Sequence, residues 1–166
     1  MADAVLAVAR HGHAAELQDL LAQHGAAAVV DARTPLSRDT PLMLAAYQGH
    51  AKVTALLLAH GADVHARNSD GVQALLPAAQ NGHYAVVEQL LAAGADVGAQ
   101  SADGATALML AAKHGQRRVA QVLLRAGAAV DQSKPDGWHA LMSAAFAGQL
   151  TMLDLLLEHG AQPDAR

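Results

Sequence analysis

Residues 103–130 decide the fold, and they read DGATALMLAAKHGQRRVAQVLLRAGAAV. The rest of the chain repeats this segment with variations, at a step of 33 residues. An Ala-Ala pair, with Gly four positions after its first residue, recurs from residues 45, 78, 111 and 144, and a Gly-Ala pair recurs from residues 61, 94, 127 and 160. A fixed step of this length indicates a stack of small supersecondary units and not one large core.

Each unit begins with a predicted helix. Thr106 is placed to cap that helix, because its hydroxyl accepts a hydrogen bond from a free backbone N–H in the first turn. The apolar spacing that follows predicts a buried stripe of Leu108, Leu110, Ala111 and Ala112. Gly115 ends the helix, since the left-handed position just past a helix costs a residue with a β-carbon about 1–2 kcal/mol.

A second helix follows in the same unit and is also closed by a glycine. Its predicted apolar face contains Val119, Val122, Leu123 and Leu124. Gly127 closes the helix, a short extended piece comes next, and in the following unit Asp136-Gly137 predicts a tight reversal. The unit is therefore a helix, a turn, a second helix and a projecting turn.

Several stretches of the chain resemble the ankyrin repeat. The matching motifs are TPLMLAA at 40–46, Gly49-His50, Gly82-His83, Leu90-Leu91 and GADV at 94–97. The resemblance covers nearly the whole chain and includes four clear copies in series. It implies an all-α repeat solenoid, in which stacked helix-turn-helix repeats carry β-hairpin fingers.

The resemblance also implies one domain, residues 1–166, made of five repeats. Residues 1–33 form a degenerate capping repeat, and the others span 34–67, 68–100, 101–133 and, at the C-terminal end, 134–166. The connection from Gly25 to Thr40 is longer than its later equivalents, so residues 27–30 are predicted to form an irregular or slightly extended loop. Pro77 replaces a Leu of the pattern inside a first helix and predicts a local distortion, because proline removes a backbone donor.

Composition excludes several classes of protein. Hydrophobic residues make up 52% of the 166 residues but aromatic ones only 2%, so small side chains must pack the interior. The net charge of -4 argues against a nucleic-acid partner, and the lack of any run of 18 apolar residues argues against a membrane span. Without cysteine there is no disulfide or thiolate metal site. We expect a cytoplasmic protein without cofactors, and a periplasmic or secreted one if a signal peptide has been removed.

Ten histidines raise the question of catalysis or metal binding. Six recur with the repeat and are predicted to be structural, either in local hydrogen bonds after the turn glycine or beside a helix dipole. They are His13, His50, His83, His24, His60 and His159. The others are His11, His65, His114 and His139. Repeat positions about 10 Å apart keep them from converging on a metal, and no hydrolase or phosphate-binding motif is present, so we predict no metal site and no enzyme activity.

Function is expected on the concave side, where partners of similar repeat proteins dock on finger tips and first helices. The predicted partner-binding residues are Tyr47, Gln48, Arg67, Ser69, Asp70, Val72, Gln80, Asn81, Gln100, Asp103, Lys113, His114, Asp136, Trp138 and Phe146. We predict a non-catalytic module that binds a protein partner there. Tyr47, Trp138 and Phe146 are predicted anchors, because aromatic residues are enriched at interface hot spots.

Other interpretations stay open at this stage. In one interpretation Trp138 and Phe146 shield the C-terminal end of the stack from solvent and do not bind a partner. In a second interpretation the chain is an inhibitor or immunity-type protein for a cognate enzyme. In a third it is a structural or engineered repeat without a natural partner, but the predicted binding residues vary between repeats, which disfavours design. We expect a monomer, and the alternative is self-association through the apolar second helix of the last repeat, residues 150–157.

Gly94 tests the placement of the turns. We expect Gly94→Val to lower the melting temperature, because valine at a left-handed cap destabilises the folded state by about 1–2 kcal/mol. Thermal unfolding followed by circular dichroism measures the change. Melting at the temperature of the native protein would contradict the predicted turn.

Overall fold

A computed structural model of the protein describes residues 1–30 and 32–163, and helices dominate them. The helices are α1 (Ala2–His11), α2 (Ala14–His24), α3 (Ala26–Val30), α4 (Pro41–Gln48), α5 (Ala51–Ala59), α6 (Leu75–Gln80), α7 (Tyr84–Ala92), α8 (Ala107–Lys113), α9 (Arg117–Arg125), α10 (Ala140–Phe146) and α11 (Leu150–Glu158). Among these residues the only β-type pairing is one isolated antiparallel bridge between Ser133 and His139.

The helices form two layers. The first helices of the repeats, α1, α4, α6, α8 and α10, pack against one another in chain order, and so do the second helices, α2, α5, α7, α9 and α11. Each first helix also packs on the second helix of its own repeat. This is the predicted all-α repeat solenoid. Each of the five proposed repeats contains one helix pair, while Asp31 in the first and residues 164–166 in the last lie outside the described residues.

The core repeats as the sequence does. The second helices of repeats 2 to 5 contribute a fully buried leucine at the same repeat position, namely Leu57, Leu90, Leu123 and Leu156. The first helices contribute fully buried alanines, which include Ala46, Ala79 and Ala112. Small side chains in this layer let neighbouring helices approach closely, which explains how a chain with so few aromatic residues fills its interior.

The C-terminal end of the stack exposes apolar surface, as predicted. Ala145 is the equivalent of those buried alanines, and it is exposed because no described helix packs on that side of α10. On α11 the side chains of Leu150 and Leu157 are 72% and 49% exposed. Met152, Leu155 and Leu156 on the same helix are buried against the core. Among the described residues the last repeat is therefore packed on one side only.

The predicted caps are present. The Thr106 hydroxyl accepts a hydrogen bond from Met109 N at 3.3 Å, and Thr40 caps α4 in the same way through Met43 N at 3.2 Å. Gly115, which follows the cap of α8, has a φ of 67°, in the left-handed region. One residue of the predicted stripe differs, because Leu110 is only partly buried.

The prediction of a loop at residues 27–30 is wrong, because Ala26–Val30 forms the short helix α3. Alanine has the highest helix propensity, and three alanines open this segment. Val29 and Val30 are buried, and the helix packs against α1, α2 and α4. The longer connection therefore adds apolar contacts to the capping repeat.

Pro77 distorts the first turn of α6, as predicted. The helix begins at Leu75, one residue later than the equivalent start of α8 at Ala107. Since Pro77 has no N–H, the carbonyl of Gln73 accepts instead from Leu76 N, at 3.1 Å. The rest of α6 continues to Gln80, so the change is confined to its start.

The fingers are the turns that precede the first helices, at residues 34–39, 68–72, 101–105 and 134–138. Each is closed by a backbone hydrogen bond between its first and last residues, for example from Lys134 N to Trp138 O at 2.9 Å. Paired strands do not extend from these turns within the described residues, so the fingers are shorter than the β-hairpins that the resemblance implies. In the Asp136-Gly137 turn only the glycine has a positive φ, of 82°.

The turn between the two helices of each repeat contacts the next repeat. The His50 ring lies against Gly12, and the His83 ring lies against Gly49, so near that an added β-carbon would be 2.6 Å and 2.4 Å from the respective Nδ1 atoms. Nε2 of His83 donates to the Tyr47 carbonyl at 2.9 Å, and His50 donates to the preceding repeat in the same manner. These bonds join two repeats, whereas the sequence analysis predicts local ones.

Glutamine takes the same role further along the chain. Gln116 and Gln149 lie against Gly82 and Gly115, and Gln116 Nε2 donates to the Gln80 carbonyl at 3.2 Å. We refer to this arrangement, a side chain of one repeat seated on the turn glycine of the previous one, as the turn contact. It explains why the turn needs glycine: the positive φ disfavours a β-carbon, and the close side chain leaves no space for one.

Gly49 and Gly94 test the turn contact as a matched pair. Both have a positive φ, but Gly49→Ala places a β-carbon against His83, while nothing lies within 4 Å of the β-carbon in Gly94→Ala. We expect Gly49→Ala to lower the free energy of unfolding by about 1–2 kcal/mol more than Gly94→Ala, because the ring must move and lose its bond. Urea unfolding measures both. In a His83→Ala background the excess should disappear, and equal costs in the native background would contradict the contact.

Candidate binding groove

The fingers and the ends of the first helices enclose a cavity of about 710 Å³ on one side of repeats 3 to 5. Its finger wall is built from three successive turns, and its floor and opposite wall come from α6, α8 and α10. We call this cavity the groove. The volume lies within the range of pockets that enclose ligands, and its length spans three repeats.

The groove brings together about half of the residues that the sequence analysis predicts. Those that line it are Asp70, Val72, Gln80, Asp103, Lys113, Asp136, Trp138 and Phe146. They come from equivalent positions of the repeat: 70, 103 and 136 at the finger tips, and 80, 113 and 146 at the end of the first helix. The stack therefore turns a sequence period into two opposing rows of side chains.

Other predicted residues hold the fingers together. Arg67 Nη1 donates to the Gly71 carbonyl in its own finger and to the Gln100 carbonyl in the next repeat, at 2.8 Å and 2.6 Å. Gln100 repeats this arrangement one repeat later, towards Gly104 and Ser133. Both side chains stabilise the spacing of the fingers, and neither lines the groove.

The remaining predicted residues lie outside the groove as well. Ser69 and Asn81 bond to carbonyls of the preceding repeat, with the Asn81 amide donating to Tyr47 O at 2.8 Å. Tyr47, Gln48 and His114 are exposed. A role of these five residues in binding stays a prediction.

Trp138 and Phe146 form an aromatic pair at the C-terminal end of the groove. Their ring centroids are 5.8 Å apart, and the rings are inclined by 74° in an edge-to-face arrangement. Trp138 Nε1 donates to Ser143 Oγ at 2.8 Å, and Ser143 Oγ in turn donates to the His139 carbonyl at 3.0 Å. The indole is thus held in one orientation, while Phe146 remains 79% exposed.

Charges on the finger wall are not equivalent, although three aspartates occupy the same repeat position. Lys134 forms a salt bridge with Asp103 and donates a hydrogen bond to its carboxylate, and the Ser101 hydroxyl donates a second one. These hydrogen bonds lower the pKa of the Asp103 carboxyl to about 2. Asp70 and Asp136 are exposed and form no salt bridge with any described residue. The finger wall therefore presents a negative charge at each end and a neutralised pair in the middle.

Comparison with protein families supports the resemblance found in the sequence. The family model described as ankyrin repeats, in three copies, matches residues 4–101 and 75–166. The chain belongs to the ankyrin-repeat family. Repeats of this family are generally non-catalytic protein-protein interaction modules. No curated protein matches the chain in sequence.

The sequence analysis missed the floor of the groove in this ankyrin-repeat chain. The floor includes Leu76, Pro77, Met109 and Leu110. Pro77, Leu110 and Ser143 occupy one repeat position, which the analysis takes as part of the buried stripe, but it faces the groove instead. The sequence contains a signal for this orientation, because the position changes between leucine, proline and serine, while the neighbouring buried alanines do not change.

His139 replaces the capping threonine at the start of α10 in this ankyrin-repeat chain. It is fully buried, forms no side-chain cap, and neither ring nitrogen has a hydrogen-bond partner among the described residues. A buried polar group without a partner costs about 1–3 kcal/mol. The helix that carries Phe146 and Ser143 therefore begins without the support that Thr106 gives to α8.

Residues 1–30 and 32–163 lack two further features. No helix there has both the length and the apolar character needed to cross a bilayer. No group of three or more His, Asp or Glu side chains in this part of the ankyrin-repeat chain is arranged to hold a metal ion.

The hydrogen bond to Ser143 is tested through the single tryptophan of the chain. We expect Ser143→Ala to speed exchange of the Trp138 indole proton with solvent about fivefold, because a hydrogen bond contributes about 1 kcal/mol. The one indole resonance in a proton–nitrogen correlation spectrum reports this exchange. Ser101→Ala is the control, since that hydroxyl bonds to Asp103 within a finger. Unchanged exchange in Ser143→Ala would show that Ser143 does not hold the indole.

Proposed function

We propose that the chain binds a protein partner in the groove and that the aromatic pair is the main anchor. The observation that carries this proposal is the position of Trp138 and Phe146 on the wall of a cavity that spans three repeats. An exposed phenylalanine beside a half-buried tryptophan leaves apolar area that a partner covers on binding. Aromatic side chains contribute strongly in such sites because they bury much area with few rotatable bonds.

The groove is suited to binding with little rearrangement. The turn contact fixes each repeat on the previous one, and Arg67 and Gln100 bond to the backbone just before the next finger. A preformed surface of this kind loses little conformational entropy when a partner docks. Variants of the aromatic pair should therefore act mainly by speeding dissociation.

We propose further that the chain itself has no catalytic role. The family is generally non-catalytic, and this supports the proposal. The ionised Asp103 in the groove is engaged by Lys134 and Ser101, which is the arrangement of a structural ion pair and not of a general base. The charged groups of the groove are thus available for recognition.

A quantitative pull-down from a lysate of the source cells tests the groove. The native protein is compared with Trp138→Ala/Phe146→Ala and with Leu150→Ala, a control that also removes an exposed apolar side chain from the last repeat but not from the groove. We expect the double variant to lose at least tenfold in affinity for the captured partner, because each hot-spot side chain contributes about 2 kcal/mol. The control should bind as the native protein does.

Circular dichroism first establishes that the three proteins are equally folded. Equal capture by the native protein and the double variant would overturn the proposal, and loss in Leu150→Ala alone would move the site to the C-terminal end. Tyr47→Ala, as a fourth protein, tests whether the surface extends to repeat 2. The identity of the captured partner then separates a scaffold from an inhibitor, because an inhibited enzyme loses activity when the native protein is added.

A further inference from the structure

We propose that the occupant of the groove is a linear segment of the partner, with one bulky apolar side chain between two basic side chains. The proposal rests on the proposed function, since it names the chemistry that the same groove selects. Three features of the groove support it: its shape, its apolar floor and the unequal charges of its finger wall.

The shape of the groove favours an extended segment. Three fingers in a row form one wall, and three first helices form the other, so the space extends along the stack over three repeats. The fingers and the first helices project on either side of the floor, so a broad flat surface of a partner does not reach it. A segment of extended chain fits along this axis.

The floor selects an apolar side chain. Leu76, Pro77, Met109 and Leu110 lie at the bottom, and the aromatic pair closes the C-terminal end. The charged side chains that line the groove belong to the fingers and to the end of α8. A bulky apolar side chain of the occupant therefore displaces water from the apolar surface of the floor, which is the favourable term for burial.

The finger wall selects positive charge at two points. Asp70 and Asp136 line the groove and are in no salt bridge with described residues, whereas Asp103 between them is paired with Lys134. Two repeats separate the two aspartates, roughly 20 Å at about 10 Å per packed helix. An extended chain covers this distance in about six residues. Basic side chains about six residues apart, with the apolar one between them, match these positions.

Lys113 sets the orientation of the segment. It is exposed on the helix wall, opposite the finger tips, and forms no salt bridge with any described residue. Its charge repels basic side chains from that wall and directs them to the fingers. The net charge of -4 on the whole chain also favours the approach of a basic segment.

Selection from a library of random nine-residue peptides displayed on phage tests the inference. The native protein is the bait, and Trp138→Ala/Phe146→Ala is the counter-bait, with equal folding checked by circular dichroism. We expect enriched peptides to carry a bulky apolar residue with Arg or Lys on both sides, and to be lost on the counter-bait. Enrichment of peptides with acidic or neutral flanks would overturn the inference but leave binding in the groove standing.

Charge variants then test the two aspartates with one selected peptide. Its affinity is measured through the fluorescence of Trp138, the only tryptophan of the chain. Asp70→Asn/Asp136→Asn should weaken binding about fivefold at low salt and reduce its salt dependence. Asp136→Asn keeps the side-chain oxygen that accepts from Trp138 N. Asp96→Asn is the matched control, because Asp96 accepts from Gly98 N in the same way but lies outside the groove.

The remaining outcomes separate this inference from the proposed function. Equal binding by the charge variant and the control would overturn the role of the aspartates. Failure to enrich any peptide over the counter-bait would show that no linear segment occupies the groove, and it would overturn the inference. The lysate experiment is independent of both results, since a folded partner lost with the aromatic pair would still place binding in the groove.

Discussion

The turn contact is the interaction on which the rest of the structure depends. A glycine without a β-carbon, at positive φ, lets a histidine or glutamine of the next repeat lie against the backbone and bond to a carbonyl of the repeat before it. The same contact is made by His50, His83, Gln116 and Gln149, at one repeat position in four repeats, so the step between repeats is constant. A constant step aligns the fingers on one side and the first helices on the other, and the groove is the space that they leave.

Function in such a stack comes from positions where the repeats differ. The buried leucines and alanines hardly change, since each must fit the same neighbours. The groove position shared by Pro77, Leu110 and Ser143 changes freely, and the finger aspartates gain different roles because only Asp103 has Lys134 beside it. The periodic scaffold thus carries a surface that is not periodic, with an apolar floor, an aromatic end and separated charges.

The sequence predicts the fold almost completely, but it only partly separates the residues that line the groove from those that support the fingers. Helix stripes, threonine caps and turn glycines depend on local spacing, and the structure confirms them. The role of Arg67 and Gln100 depends on partners 33 residues away, so their position on a finger does not reveal that they bond to the next finger. The short helix α3 was missed because burial of Val29 and Val30 decides it. Trp138 and Phe146 were found because aromatic residues are scarce in this chain.

The aromatic pair lies in a repeat that described residues cover on one side only, and this links stability to binding. His139 leaves α10 without a side-chain cap, and Ala145 is exposed where its equivalents are buried. Among the described residues only one neighbouring repeat covers the last helix pair. In a linear stack each repeat is stabilised by its own helices and its nearest neighbours, so the described residues support repeat 5 from one side only. A partner that covers Trp138 and Phe146 adds a second neighbour to this repeat. Binding then stabilises the folded state of repeat 5, because a ligand that binds only the folded form shifts the folding equilibrium towards it.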